Sequence, residues 1–427
     1  MDRRFFKPEC ANRRGFMLKS AALVGGAALT GPLSAQTAPE VKYDLLIKGG
    51  EVIDPGQKLR GNRDVAIRHG MVTAMERDIP AAAALRVIDA RGKLVTPGLV
   101  DYHAHVFPLG SAMSLPSDEI IAQSGTTTYV SGGDAGANNF AAFRRLTVSQ
   151  SRSRLFAFVN ISSIGLAGFP VGEAINIDHV NVDLAARALA ENQDIALGVK
   201  VRETLAFVGQ NGIEPLRRAI AAAERSGVKG ARVMCHIGNA PGELSALLDL
   251  LRPGDVLTHP YSALGNNTVQ AGKLLPAVLE AKKRGVVIDV GHGAGSFNFA
   301  IAEEALRQGL VPDTISSDIS AAAANTPSKP YLPWVLSKFL ALGFTLEQVI
   351  AAATVVPGNL IGKVPGLGTL KVGAPADVSL LELIEGPVIL LDTQNQARTG
   401  KAYLRAVQTI RGGVPFGAPY AIPFSVT

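Results

Sequence analysis

Short apolar runs alternate with alanine-rich stretches along the middle of this chain, and few folds accommodate that order. Stretches such as IEPLRRAIAAAERSG and AIAEEALRQG have helical composition and end in a glycine suited to a helix C-cap. Eight runs between such stretches have the composition of strands: LVDYHAH (99–105), TTTYVSGG (126–133), LFAFVNIS (155–162), IALGVKVR (195–202), ARVMCHIG (231–238), DVLTHPY (255–261), VVIDVGHG (286–293) and TISSDIS (314–320). Eight strand–helix units predict an α/β fold with a (β/α)8 TIM barrel.

Segments on both sides of this body have β-strand character. Residues 41–98 contain YDLLIKGGEVID and RDVAIRHGMVTAM, which predict a small antiparallel sheet. The tail contains GLGTLKVGAPADVSLLEL and AYLRAVQTIRGGVPF, which have the same character. We therefore predict a composite β-sandwich formed by residues 41–98 plus 355–427, and a barrel over residues 99–354.

The N-terminus is typical of an export signal. Paired Arg13 and Arg14 precede an apolar run from Ala21 to Leu29, and small residues follow at Ser34 and Ala35. This order resembles a twin-arginine signal over residues 1–35, which predicts the twin-arginine export machinery as a partner and a periplasmic or secreted location. The alternative is an amphipathic or disordered N-terminal arm. Cleavage would leave Cys235 as the only cysteine, so we expect no intrachain disulfide.

The formal charge of +6 does not indicate a nucleic-acid partner. Residues 1–35 hold six basic and two acidic side chains, an excess of four, which leaves +2 for the rest of the chain. A body so close to neutral lacks the basic surface that a phosphate backbone requires. The apolar runs are also shorter than the ~20 residues that span a bilayer, so we predict no membrane span.

Unusual polar residues fall at the carboxyl ends of the predicted strands, where barrel enzymes build their active sites. His103 and His105 are two residues apart, so both imidazoles point the same way from one strand. Lys200 ends the fourth strand in an apolar setting that requires either an ion pair with a carboxylate or conversion of the amine to an anionic carbamate.

Three further candidates end later strands: His236, His259 and Asp318. Each of these residues alone could serve a structural role. Together with His103, His105 and Lys200 they place nitrogen and oxygen donors around one barrel mouth, a mixture suited to Zn²⁺ or a similar divalent ion.

The motif TPGLVDYHAH (96–105) resembles the opening motif of the amidohydrolase superfamily, and the order HxH, Lys, His, His, Asp is that of its binuclear members. GVKVR (198–202) and DVGHGAGSF (289–297) are similar to the amidohydrolase/deacetylase branch. The resemblance implies two divalent metal ions, one held by His103, His105 and Asp318 and the other by His236 and His259. It also implies that Lys200 is modified to a carbamate, which bridges the two ions together with a hydroxide.

The resemblance further implies hydrolysis of an amide or ester bond of a small molecule. We expect deacylation of an N-acyl amino acid or an acylated hydroxy acid, with Asp318 as general base and acid. The alternatives are a cyclic amide hydrolase of the dihydroorotase or hydantoinase kind and a non-catalytic barrel scaffold. Arg202, which follows Lys200 by two residues, predicts a contact with a substrate carboxylate or a structural ion pair. His292 and Tyr261 are further substrate-binding candidates.

Overall fold

A computed structural model describes residues 41–417. The predicted export signal at residues 1–35 and the last ten residues lie outside this range. No helix between residues 41 and 417 has the length and the apolar character needed to cross a membrane.

Five strands open the described part of the chain: β1 (Tyr43–Asp54), β2 (Leu59–Arg68), β3 (Met71–Glu76), β4 (Ala84–Asp89) and β5 (Leu94–Pro97). β1, β2 and β3 pair antiparallel in that order. On its other edge β1 pairs in parallel with β4 and then with β5, so the predicted antiparallel sheet is confirmed for β1 to β3 and wrong for β4 and β5. After β3 the chain passes through a 3₁₀ turn at Ala81–Ala83 to the opposite edge of β1. β4 therefore runs parallel to β1.

A parallel sheet follows, in the spatial order β14-β11-β10-β9-β8-β7-β6. Its strands are β6 (Leu99–Ala104), β7 (Thr126–Ser131), β8 (Arg154–Asn160), β9 (Ala196–Glu203), β10 (Arg232–Ile237), β11 (Val256–Thr258) and β14 (Val287–Asp289). Two short strands, β12 (Val269–Gln270) and β13 (Lys273–Leu274), form a separate hairpin.

The eighth predicted strand is present as an irregular segment rather than a regular strand. Residues 314–319 make isolated parallel bridges to β14 at Asp289 and to β6 at Ala104. The Asp318 amide donates to the His103 carbonyl at 2.7 Å, and the His105 amide donates to the Ile319 carbonyl at 2.8 Å. The segment therefore closes the barrel. The positive φ of 48° at Asp318 explains why it does not continue as a regular strand.

Helices connect the strands and cover the barrel. They are α1 (Ser117–Ser124), α2 (Phe140–Ala142), α3 (Val182–Glu191), α4 (Leu205–Val208), α5 (Glu214–Arg225), α6 (Leu244–Leu250), α7 (Pro276–Lys283), α8 (Phe299–Arg307), α9 (Leu332–Ala341), α10 (Leu346–Ala352) and α11 (Val355–Ile361). A π-helical turn spans Phe143–Val148, and further 3₁₀ turns lie at Pro55–Gln57, Ile177–His179 and Gly209–Asn211. α3 and α8 begin at Asn181 and Asn298, whose side chains accept hydrogen bonds from the first-turn amides of Leu184 and Ile301.

The chain then returns to the first sheet through β15 (Val378–Leu391), β16 (Ala397–Arg411) and β17 (Val414–Pro415). The start of β15 pairs antiparallel with β5, so strands from both ends of the chain join in one composite unit. The predicted fold class, an α/β barrel with a composite β-unit, is confirmed. The domain boundaries at residues 99 and 355 stay predictions.

Apolar side chains fill the interior of the barrel towards its amino-terminal end. Tyr102, Phe158 and Met234 form a buried cluster there with Ile361 of α11 and Leu367 just beyond it. This apolar cluster closes one end of the barrel. The polar side chains at the carboxyl ends of the strands consequently face the opposite end.

Candidate metal centre

The six predicted ligands lie at or just beyond the carboxyl ends of barrel strands. His103, Lys200 and His236 belong to β6, β9 and β10. His105 directly follows β6 and His259 directly follows β11. Asp318 lies within the closing segment. Lys200 and His259 are 1% and 0% exposed, so both side chains are removed from bulk water.

Hydrogen bonds fix the tautomers of three histidines. His105 Nδ1 donates to Asp134 Oδ1 at 2.7 Å, and His259 Nδ1 donates to the Gly291 carbonyl at 2.6 Å. His103 Nδ1 lies 3.1 Å from Thr258 Oγ1, whose own proton goes to Asp289 Oδ2 at 2.7 Å, so Nδ1 must be the donor. In the neutral form of each of these rings Nδ1 holds the proton, and Nε2 then carries the lone pair that can ligate a metal.

Several of the candidate ligand atoms lie close together. Ligand atoms of His103, His259 and Asp318 all lie within 4.8 Å of one another. Asp318 Oδ1 is 3.1 Å from His105 Nε2 and 3.5 Å from His103 Nε2. His259 Nε2 and Asp318 Oδ1 are buried and have no hydrogen-bond partner within residues 41–417. Buried polar atoms that lack a partner are costly, and a divalent cation would satisfy both of them.

The backbone around the site allows the side chains of His259 and Asp318 to pack closely against neighbouring glycines. His259 has φ 72° and Asp318 has φ 48°, which are uncommon values for residues other than glycine and occur often at functional sites. A Cβ at Gly293 would lie 2.4 Å from Asp318 Oδ2, and one at Gly291 would lie 2.6 Å from His259 Nδ1. Both positions therefore require glycine to admit the side chains of these two candidate ligands.

His236 and Lys200 complete the cluster. The His236 ring lies 4.2 Å from that of His259 between centroids, in an edge-to-face arrangement. Lys200 Nζ lies 2.9 Å from His103 Nε2. Burial lowers the pKa of Lys200 to about 8, which increases the fraction of neutral, nucleophilic amine near neutral pH.

Two carboxylates dominate the charge at the centre. Burial lowers the pKa of His105, but Asp134 and Asp318 outweigh that effect and raise it to about 9. Burial opposes ionisation of Asp318, but His103 and His105 hold the pKa of its carboxyl well below the usual range. Asp318 is therefore ionised at neutral pH. The ionised carboxylate can ligate a cation.

These donors fit a divalent metal ion. Imidazole nitrogens and a carboxylate oxygen, oriented from behind by carboxylate and carbonyl groups, are the ligands and supports of hydrolytic metal sites. His103, His105, His259 and Asp318 could hold one ion, and His236 and Lys200 lie beside them for a second.

The sequence did not reveal the supporting residues. Asp134 directly follows the Gly-Gly pair after β7, and Asp289 ends β14, so both are polar groups at strand ends. Their position at strand ends was the sequence feature that could have identified them. Their function depends on contacts with His105 and, through Thr258, with His103, which are distant in sequence.

Arg202 forms the ion pair that was one of its two predicted contacts, and its contact with a substrate carboxylate stays a prediction. Its Nε and Nη2 donate to Glu173 Oε1 and Oε2 at 2.7 and 2.5 Å, and both side chains are buried. The edge of the guanidinium that would bind a substrate carboxylate is thus already engaged by the protein.

The polar groups of His292 and Tyr261 have partners within the protein, and a substrate contact of either residue stays a prediction. His292 Nδ1 donates to the Gly293 carbonyl, and Nε2 lies 2.6 Å from Lys338 Nζ. The Tyr261 hydroxyl donates to the Leu310 carbonyl, and its ring packs near Phe297 in the core. β11 ends at Thr258 and His259 has a positive φ, so the strand alternation that would align Tyr261 with His259 no longer applies.

A barrel with clustered histidines and a carboxylate at the carboxyl ends of its strands defines a class of hydrolases that use divalent metals. Comparisons with known proteins support this class. The chain is 31% identical over 356 residues to a deacetylase of Agrobacterium fabrum, covering 83% of this chain and 86% of that protein. It is 31% identical over 373 residues to a deacetylase of Enterococcus faecalis, covering 87% of this chain and 98% of that protein.

Two solved structures share the fold over nearly the whole chain. One described as an adenine deaminase has a TM-score of 0.80 and 31% identity, covering 88% of this chain and 99% of its own. One described as a dihydroorotase has a TM-score of 0.80 and 28% identity, covering 89% and 99%. No family model matches the sequence. On the strength of these relatives, the chain belongs to the amidohydrolase superfamily and is a hydrolase of carbon–nitrogen bonds other than peptide bonds.

Proposed function

We propose that the protein deacylates small N-acyl or O-acyl compounds, among them N-acyl amino acids and acylated hydroxy acids, at a site that holds two divalent ions such as Zn²⁺. The observation that carries this proposal is the convergence of the buried His259 Nε2 and Asp318 Oδ1 with His103: His259 Nε2 has no hydrogen-bond partner within residues 41–417, and Asp318 Oδ1 lies 3.1 Å from His105 Nε2. The two deacetylases named above support the choice of reaction. A structure described as an N-acyl-D-glutamate deacylase with zinc shares the fold, with a TM-score of 0.62 at 17% identity.

Different side chains have different roles in the proposed hydrolysis. When bound, divalent ions supply hydroxide at neutral pH and polarise the substrate carbonyl. Asp318 is ionised and can take the proton of the attacking water and deliver it to the leaving nitrogen or oxygen. Asp134 and Asp289 hold His105 and His103 in the tautomers that direct Nε2 inward.

Lys200 is proposed to act as its carbamate. The neutral amine attacks carbon dioxide, a nitrogen–carbon bond forms, and one proton leaves to solvent. This converts a side chain that has only hydrogen-bond donors into an anion with two oxygens. The buried position of Lys200, 2.9 Å from His103 Nε2, puts those oxygens among the other ligands.

Lys200→Ala tests this arrangement. We expect loss of most bound metal and most turnover, and partial recovery of both when a short carboxylic acid is added in millimolar excess. Metal content is measured by elemental analysis and turnover with an N-acetyl amino acid. Two bound metal ions and near-normal turnover without the acid would refute the carbamate.

A cyclic amide hydrolase is the second candidate, because the dihydroorotase structure matches at a TM-score of 0.80. A screen of N-acetyl and N-formyl derivatives of D- and L-amino acids beside hydantoins and dihydroorotate, with Zn²⁺ present, separates the two. Turnover confined to the cyclic amides would replace the deacylase proposal.

A further inference from the structure

A buried lysine that the proposed chemistry does not use contacts the connection that follows β14. Lys338 belongs to α9, and its side chain is 0% exposed. Its Nζ lies 2.6 Å from His292 Nε2 and donates to the Ser328 carbonyl at 2.6 Å. A buried amine is costly unless its hydrogen bonds are made, so these two contacts fix the position of the lysine head group.

The hydrogen bonds of His292 fix its tautomer. Nδ1 donates to the Gly293 carbonyl at 2.9 Å. Burial, followed by the proximity of Lys338, lowers the pKa of His292 well below its usual value, so the ring is neutral at neutral pH. A neutral ring with its proton on Nδ1 accepts a hydrogen bond at Nε2. Lys338 is therefore the donor in its contact with His292.

The His292 ring is also held by aromatic packing. It stacks on the Phe297 ring, with centroids 4.9 Å apart and planes at 20°. Lys338 Nζ lies 5.8 Å from the centre of the same Phe297 ring. The imidazole is thus held by a stacked ring on one face and by hydrogen bonds at both nitrogens, and it links α9 to the backbone beyond β14.

The backbone on either side of His292 contacts two candidate ligands. The Gly291 carbonyl accepts the proton of His259 Nδ1 at 2.6 Å. Gly293 packs so closely against Asp318 that a Cβ would lie 2.4 Å from Oδ2. Displacement of this backbone would therefore turn the His259 ring and change the space available to the Asp318 carboxylate. Groups that orient a ligating histidine from behind influence metal affinity in this way.

We propose that Lys338 is a positioning residue of the metal centre. Through His292 it holds the backbone that orients His259 and Asp318. The inference rests on the proposed function, because it requires that these two side chains bind a divalent ion.

Lys338→Met removes the donor and keeps an unbranched apolar stem. We expect Zn²⁺ affinity, measured by competition with a chromogenic chelator, to fall by about 10-fold, the lower end of the effect of losing a group behind a ligating histidine. Lys282→Met is the matched control. Lys282 lies on α7, donates to the Val311 carbonyl and to Asp313, and makes no hydrogen bond to a candidate ligand within residues 41–417. It should retain native affinity, and native affinity in Lys338→Met would overturn the proposal.

A double variant tests whether Lys338 acts through His292. His292→Phe removes both ring nitrogens and keeps a ring that can stack on Phe297. The double variant His292→Phe/Lys338→Met leaves neither member of the pair buried without its partner, so it should fold even where a single variant does not. Its affinity should fall no further than the larger single loss, about 10-fold. Native affinity in the double variant, or single losses that add to about 10²-fold, would overturn the proposal.

A readout that does not need metal separates this inference from the proposed function. The His259 Nδ1 proton is buried in its hydrogen bond to the Gly291 carbonyl, and its exchange with water can be followed by NMR in protein that carries isotope-labelled histidine. Exchange should be about 10-fold faster in Lys338→Met than in the native protein and in Lys282→Met. A native protein that binds no divalent ion would overturn the proposed function, while the exchange rates would still decide whether Lys338 orients His259. Equal exchange rates in the native protein and Lys338→Met would overturn that role.

Discussion

Asp134 is the residue on which the orientation of His105 depends. Its carboxylate accepts four hydrogen bonds, from His105 Nδ1 at 2.7 Å, the Val106 amide at 2.9 Å, Ser114 Oγ at 2.8 Å and Ser131 Oγ at 2.7 Å. Asp134→Asn replaces one acceptor oxygen by a donor. We expect metal affinity to fall by about 10–100-fold, the usual effect of losing a carboxylate behind a ligating histidine, as measured by competition with a chromogenic chelator.

The control for this variant is another carboxylate that accepts several hydrogen bonds. Asp118 accepts from the Arg152 and Ser153 amides and from Ser151 Oγ, and it contacts none of the predicted ligands. Asp118→Asn should lower stability without changing metal affinity. If Asp134→Asn retains native affinity, His105 does not depend on its carboxylate.

The proximity of the six candidate ligands could be predicted from sequence because they lie near strand ends, and strand ends of a parallel barrel meet at one face. The supporting groups could not. Glu173 lies in an irregular connection, so neither periodicity nor spacing relates it to Arg202. Tyr261 shows the converse: its spacing from His259 indicated a shared face, but the backbone leaves the strand conformation at His259.

The long β15–β16 hairpin reaches from the composite sheet to the barrel. At its turn, Asp392 Oδ2 accepts the Phe299 amide at 3.0 Å, at the start of α8. The Thr393 amide and hydroxyl both donate to the Phe297 carbonyl, at 3.1 and 2.7 Å. These bonds fix the glycine-rich connection that carries Gly293, which packs against Asp318.

Asp392→Ala should therefore loosen that connection. Asp392 is fully buried and also accepts the Gln394 and Gln396 amides at 2.8 Å, so its loss leaves buried donors unpaired. We expect the free energy of unfolding in urea to fall by about 1–3 kcal/mol and hydrogen exchange of residues 291–299 to accelerate. Asp392→Asn keeps one acceptor oxygen and should lose less. Native exchange rates in Asp392→Ala would show that the hairpin does not hold this connection.

The order of elements was easier to predict than their pairing. The seven regular barrel strands lie within the predicted runs or extend at most one residue beyond them, because buried parallel strands are continuous apolar runs bounded by turns. The parallel pairing of β1 with β4 and β5 depends on which edge the chain returns to after β3, and alternation within a strand carries no information about that choice.

Export of the whole molecule remains a proposal drawn from residues 1–35. The mature chain would contain one cysteine, Cys235, which is buried in the barrel wall, so its fold needs no disulfide and can form before export. A site whose six candidate ligands come from five separate segments of the barrel also has to fold before it can hold metal ions, which suits a pathway that transports folded proteins. Changing both Arg13 and Arg14 to Lys should leave folded, metal-loaded precursor in the cytoplasm, detected as hydrolase activity and metal in the cytoplasmic fraction. A periplasmic yield equal to that of the native protein, or a mature N-terminus that still contains Arg13, would refute the export signal.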